Sequence, residues 1–103
     1  MIIRGGENVS PDEVEAVLYE NSAVLECAVV GVASEEWGER VVAAAVVREG
    51  SGVTGEDLVA FAKEKLAPFK RPEAVELMEE LPRTSTGKLL RRDLIPMLEE
   101  LGI

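Results

Sequence analysis

Seven consecutive positions, Val41 to Val47, hold only valine and alanine. A β-branched, uniformly apolar run of this length predicts a central strand covered on both faces, because a strand with one wet face alternates polar and apolar residues. Val24 to Val32 predicts its neighbour, with Leu25, Cys27 and Val29 on one side and Glu26, Ala28 and Val30 on the other, interrupted late by Gly31. The connection Ala33–Gly38 carries the only tryptophan, Trp37, expected to cover an edge of the core. Ala74–Met78 reads as a third strand.

The remaining segments supply the cover. Met1–Val9 predicts a hairpin turning at Gly5-Gly6, the pair a primed two-residue turn prefers. Ser10-Pro11-Asp12-Glu13 combines an N-cap serine, a proline at the first helical position and a glutamate three residues after the cap, a strong helix start. Val14, Val17, Leu18 and Asn21 then share the inward face, leaving Glu15 and Glu20 to water. Thr54-Gly55-Glu56-Asp57 repeats the capping pattern more weakly and opens a second helix, with Leu58, Ala62 and Leu66 inward until Pro68 stops it. Phe69-Lys70-Arg71-Pro72 reads as extended, and a last helix after Lys88 should be kinked or divided by Pro96. The expectation is one α+β domain over residues 1–103: a small three-stranded sheet with packed helices and an N-terminal β-hairpin.

The formal net charge of -9 argues against nucleic acid, since phosphate neutralisation supplies most non-specific affinity. Lys70, Arg71, Arg83, Lys88, Arg91 and Arg92 nevertheless gather in the last third, a local basic patch suited to a compact anionic ligand. The single Cys27, in an apolar run, predicts a buried thiol in a reducing compartment. No run approaches the ~20 residues of a membrane span, and no signal peptide opens the chain, so a cytoplasmic location is expected.

Leu81-Pro82-Arg83-Thr84-Ser85-Thr86-Gly87-Lys88 places one lysine at the tip of a turn. Pro82 holds the preceding residue extended, while Ser85, Thr86 and Gly87 supply turn chemistry. Gly87-Lys88 is a poor phosphate-binding loop: no glycine lies five residues earlier, and Leu89 stands where the magnesium-binding hydroxyl would be.

Taken together, Ile2-Ile3-Arg4-Gly5-Gly6-Glu7-Asn8-Val9-Ser10-Pro11-Asp12-Glu13-Val14-Glu15 and Leu81–Arg92 resemble the C-terminal domain of adenylate-forming enzymes, specifically acyl-CoA synthetases. Trp37-Gly38-Glu39 and Phe69-Lys70-Arg71-Pro72 fall in order between them, and the resemblance covers essentially the whole chain. It implies a mobile lid on a large N-terminal AMP-binding domain, in an enzyme using ATP, Mg2+ and CoA, with no cofactor in this domain alone. Lys88 would be the adenylation lysine, supported by Arg83, Thr86, Gly87, Arg91 and Lys70. Gly5, Gly6 and Glu7 would line the pantetheine path to the acyl-adenylate, and no residue would bind metal. The expected substrate is a carboxylic acid, a fatty acid first, and lysine acetylation of Lys88 by an acetyltransferase is a possible control. Phe69 departs from the tyrosine common in the family. The chain opens inside the first motif, so an excised or truncated domain, inactive alone, is expected. A stand-alone module binding an acidic partner or nucleotide, a carrier-protein ligase, and two purely structural turns are the alternatives.

Overall fold

The Val41–Val47 run forms the middle of a sheet, in a computed structural model that describes all 103 residues. In chain order the elements are β1 (Ile2–Arg4), β2 (Glu7–Val9), α1 (Pro11–Tyr19), β3 (Val24–Ser34), β4 (Gly38–Val47), α2 (Gly55–Lys63), β5 (Ala74–Leu77) and α3 (Arg91–Glu100). The sheet is mixed and five-stranded: β2-β1-β4-β3 are antiparallel neighbours, and β5 runs parallel to β4. β3 occupies one edge of β4, while β1, at Arg4 opposite Gly38, and β5, at Val42–Ala45, share the other. The expected three-stranded sheet is therefore β3, β4 and β5, and the hairpin extends it instead of standing apart.

Cover on both faces of β4 is borne out. Val41, Ala43 and Ala45 point into one core with Ile2, Val9, Val14, Leu18, Leu58 and Ala62; Val42 and Ala44 point into a second with Leu81, Leu94 and Leu98. α1 and α2 thus lie on one face and α3 on the other. Five consecutive β4 residues, Val41 to Ala45, are inaccessible to solvent, which leaves room for nothing larger than valine between two packed layers. No helix is long and apolar enough to cross a membrane.

Local details correct several expectations. A bulge between Val24 and Glu26 sends Val24 into the first core and leaves Leu25 half exposed, breaking the alternation that had paired Leu25 with Cys27. The two helix caps exchange strength: Thr54 and Asp57 form the full reciprocal capping box, while Ser10 makes no side-chain cap bond and the Glu13 carboxylate, which would return the second bond, pairs with Lys70. Pro68–Lys70 makes one 3-10 turn instead of running extended, and α3 continues through Pro96 undivided. Gly55 is needed for space, since a Cβ there would lie 2.0 Å from the Val75 carbonyl oxygen.

The largest correction is Glu15. It is 9% exposed, on the buried side of α1 beside Val14 and Leu18. Its carboxylate accepts the Val29 amide at 2.8 Å, and Tyr19 Oη accepts the Cys27 amide at 3.1 Å. Both donors belong to β3, the edge strand, so α1 side chains satisfy amides that a further strand would otherwise claim.

Candidate functional site

Two tight turns carry the candidate residues. In the first, Ile2 pairs with Val9, Ile3 with Asn8 and Arg4 with Glu7, leaving Gly5 and Gly6 as the two-residue connection. Their φ values of 57° and 85° are left-handed at both positions, the primed geometry that matches strand twist. Trp37 lies under this turn. The Gly5 amide donates to the Trp37 carbonyl at 2.8 Å, and the Arg4 guanidinium stacks 4.3 Å from the ring centroid. A Cβ on Gly5 would meet Trp37 Cε3 at 3.2 Å, whereas one on Gly6 meets nothing within 4 Å. Gly5 is thus bound to its support, while Gly6 presents bare backbone to open space. Glu7 follows, exposed.

The second turn is a small hairpin closed by a bridge between Arg83 and Leu89. The Gly87 amide donates to the Thr84 carbonyl at 2.9 Å, and the Thr84 amide to the Lys88 carbonyl at 2.8 Å. Thr84 Oγ1 accepts the Lys88 amide at 3.0 Å and lies 2.9 Å from Thr86 Oγ1. Gly87, at φ 90°, takes the conformation that other residues resist. The Leu90 amide then donates to the Pro82 carbonyl, and α3 starts at Arg91, three positions after Lys88. Lys88 is exposed, with its backbone fixed on both sides.

The surrounding charges are arranged unevenly. Lys70 pairs with Glu13 at 2.9 Å, and Arg83 pairs with Glu26 and donates to the Gly87 carbonyl. Arg91 meets both oxygens of Glu15, at 2.7 and 2.8 Å from Nη2, and lies 3.7 Å from Asp12. That hydrogen bonding to Glu15 holds the Arg91 pKa above its ordinary value despite burial. Of Lys70, Arg83, Lys88 and Arg91, only Lys88 has no carboxylate within 4.0 Å. Of the six basic residues grouped along the sequence, Lys70, Arg83 and Arg91 are paired with acids, while Arg71 turns to the Leu66 carbonyl and Lys88 stays exposed without an acidic partner. Beneath α1, burial pushes the Cys27 thiol up to about 12, with the charge of Glu15 adding to the effect, so the thiol stays neutral.

The stems of the two turns are anchored in different cores. Ile2 and Val9, which flank Gly5-Gly6, pack into the first core, while Leu81 and Leu89, on the stem of the Lys88 hairpin, pack into the second. Sequence reasoning found both turns, missed two supporting residues, Glu15 and Glu26, and gave Trp37 to an edge of the core, whereas it supports the Gly5-Gly6 turn. For Glu15 a signal existed, because it follows Val14 and precedes Leu18 by three positions, inside the apolar arc of α1.

Comparison with known proteins gives the family and the fold. The AMP-binding enzyme C-terminal domain family matches residues 13–88, a span that ends on Lys88. The 2-succinylbenzoate–CoA ligase of Bacillus mycoides (strain KBAB4) is 48% identical over 101 residues, covering 98% of this chain and 21% of that protein. The long-chain-fatty-acid–CoA ligase of Bacillus subtilis (strain 168) is 47% identical over 95 residues, 92% of this chain and 17% of that one. Among solved structures, apo MatB from Rhodopseudomonas palustris superposes with a TM-score of 0.90 at 32% identity, covering 96% of this chain and 20% of its own; its ATP-bound form superposes equally well. The chain thus spans about a fifth of the length of the relatives it matches. With the family match extending over most of its residues, the chain belongs to the AMP-binding enzyme C-terminal domain family.

Proposed function

We propose that the chain is the C-terminal lid of an ATP-dependent, AMP-forming acid–CoA ligase, working on a site whose other residues lie in an N-terminal AMP-binding domain. The observation that carries this reading is the state of Lys88: an exposed ammonium without an acidic partner, on a hairpin whose backbone is tied on both sides. In the first half-reaction the substrate carboxylate attacks the ATP α-phosphorus, forming acyl-adenylate and releasing pyrophosphate. Negative charge grows between two anions, and an ammonium placed there stabilises the transition state more than the ground state. Lysine suits the task as a compact charge on a flexible stem.

In the second half-reaction the CoA thiolate attacks the acyl carbonyl and expels AMP. Gly5 and Gly6 would wall the pantetheine path, with Glu7 at its mouth, and Gly6 would leave the path open because it carries no side chain. Use of both turns by one active site would have the domain turn between half-reactions, in keeping with their stems being anchored in different cores. Magnesium would travel with ATP; the chain gathers no set of three His, Cys, Asp or Glu side chains able to hold an ion. The acid is left as a carboxylic acid, because the relatives include both a 2-succinylbenzoate and a long-chain fatty acid ligase. A cytoplasmic location fits these substrates. Acetylation of Lys88 would cancel its charge, and a mass spectrum of protein from its native source would detect it.

ATP–pyrophosphate exchange tests the proposal. The isolated chain is expected to show none, and the full-length protein is expected to show exchange that Lys88→Ala lowers by about 10²- to 10³-fold. Exchange by the isolated chain, or full exchange by the variant, would sink it.

A further inference from the structure

The Lys88 hairpin is tied at both stems to one strand. On the incoming stem Arg83 pairs with Glu26 of β3. On the outgoing side Arg91 grips Glu15, whose carboxylate also accepts the amide of Val29, again in β3. The two ties differ at the carboxylate: Arg83 and Arg91 are similarly exposed, at 39% and 42%, but Glu26 is 34% exposed and Glu15 only 11%. A pair half in water contributes little, while a carboxylate withdrawn from water and bound by three donors in two elements fixes position. Glu15 thus joins three elements, α1, β3 and the start of α3, at a point three residues from Lys88.

We infer that Glu15 is a positioning residue for the adenylation half-reaction, acting through Arg91 to set where the Lys88 backbone stands relative to the sheet. The inference rests on the proposed role of Lys88. A lysine stem is long and flexible, so the place its ammonium can occupy is governed by the Cα beneath it, and small misplacements of a charge aimed at a transition state are costly. Glu15 itself need touch no ligand. Because the second half-reaction would use the other turn, which is held separately by Trp37, loosening this tie should slow one step and spare the other.

The test uses the full-length ligase with Glu15→Gln, which keeps the shape and an oxygen for the Val29 amide but removes the charge holding Arg91. Expected is a fall in kcat for ATP–pyrophosphate exchange of roughly 10- to 100-fold, with KM for ATP and acid unchanged and transfer from preformed acyl-adenylate to CoA unchanged. Placed on Lys88→Ala, the same substitution should produce no further loss, since it acts only through that ammonium. Arg91→Gln, at a partly exposed position, leaves the Glu15–Val29 bond intact and should give the same selective loss should Glu15→Gln fail to fold. Equal loss in both half-reactions, an additive loss on Lys88→Ala, or full exchange in folded Arg91→Gln would overturn the inference while leaving the role of Lys88 standing. Full exchange in Lys88→Ala alone would remove the parent proposal and this inference with it.

Discussion

The two candidate turns look alike in the sequence, each a glycine bend between short extended stems, yet they are built in opposite ways. The Gly5-Gly6 turn is held from below by a ring and a backbone bond, and its exposed surface is bare peptide. The Lys88 turn is held from its stems by two ion pairs and offers a single uncompensated charge. Supports of such different kinds suit the different roles proposed for the turns. A bare backbone accommodates something that must pass close to it, and a fixed free cation meets something negative.

The strongest way to break this comparison is to exchange what the turns offer. Lys88→Ala in the full-length ligase is expected to slow acyl-adenylate formation by about 10²- to 10³-fold while sparing transfer from preformed acyl-adenylate, measured as separate half-reactions. Equal slowing of both steps would mean that the turns do not divide the work. Gly6→Leu should do the converse, slowing transfer by about 10- to 100-fold with exchange retained. The substitution enters open space in this domain but places a side chain at φ 85°, so a melting curve should accompany it. Normal transfer in the folded variant would take Gly6 out of the path.

Smaller changes sharpen the comparison at the supports. Trp37→Ala removes the ring stacked by Arg4 and should destabilise the chain by at least about 0.5–1 kcal/mol, read by denaturant unfolding, with a slower transfer step and unaltered exchange. Glu26→Gln breaks the partly exposed tie to Arg83 and should cost only about 0.2–1 kcal/mol, with exchange nearly intact. A large effect at Glu26 and none at Trp37 would reverse the assignment of rigid and adaptable supports.

Much of the fold was legible before any coordinates. The valine and alanine run of β4 could only be a strand buried on both sides, because nothing in it tolerates water, and the Ser10-Pro11 and Thr54 starts marked two helices. Reading failed where a residue answered to a partner distant in sequence. Glu13 pairs with Lys70, 57 positions away, and Glu15 turned inward for Arg91, 76 positions away. The bulge at Val24–Glu26 escaped because strict alternation gives no hint of an extra residue.

Local chemistry therefore determined the elements, their starts and the two exposed turns, since hydrophobic period, caps and glycine conformations act over a few residues. Tertiary structure alone decided that the stems of the turns are anchored in different cores, that Lys70, Arg83 and Arg91 are paired with acids while Lys88 is not, and that Glu15 meets Arg91 and the Val29 amide. Those outcomes depend on which charges meet when the sheet closes between its helices, and sequence neighbours carry no record of that meeting.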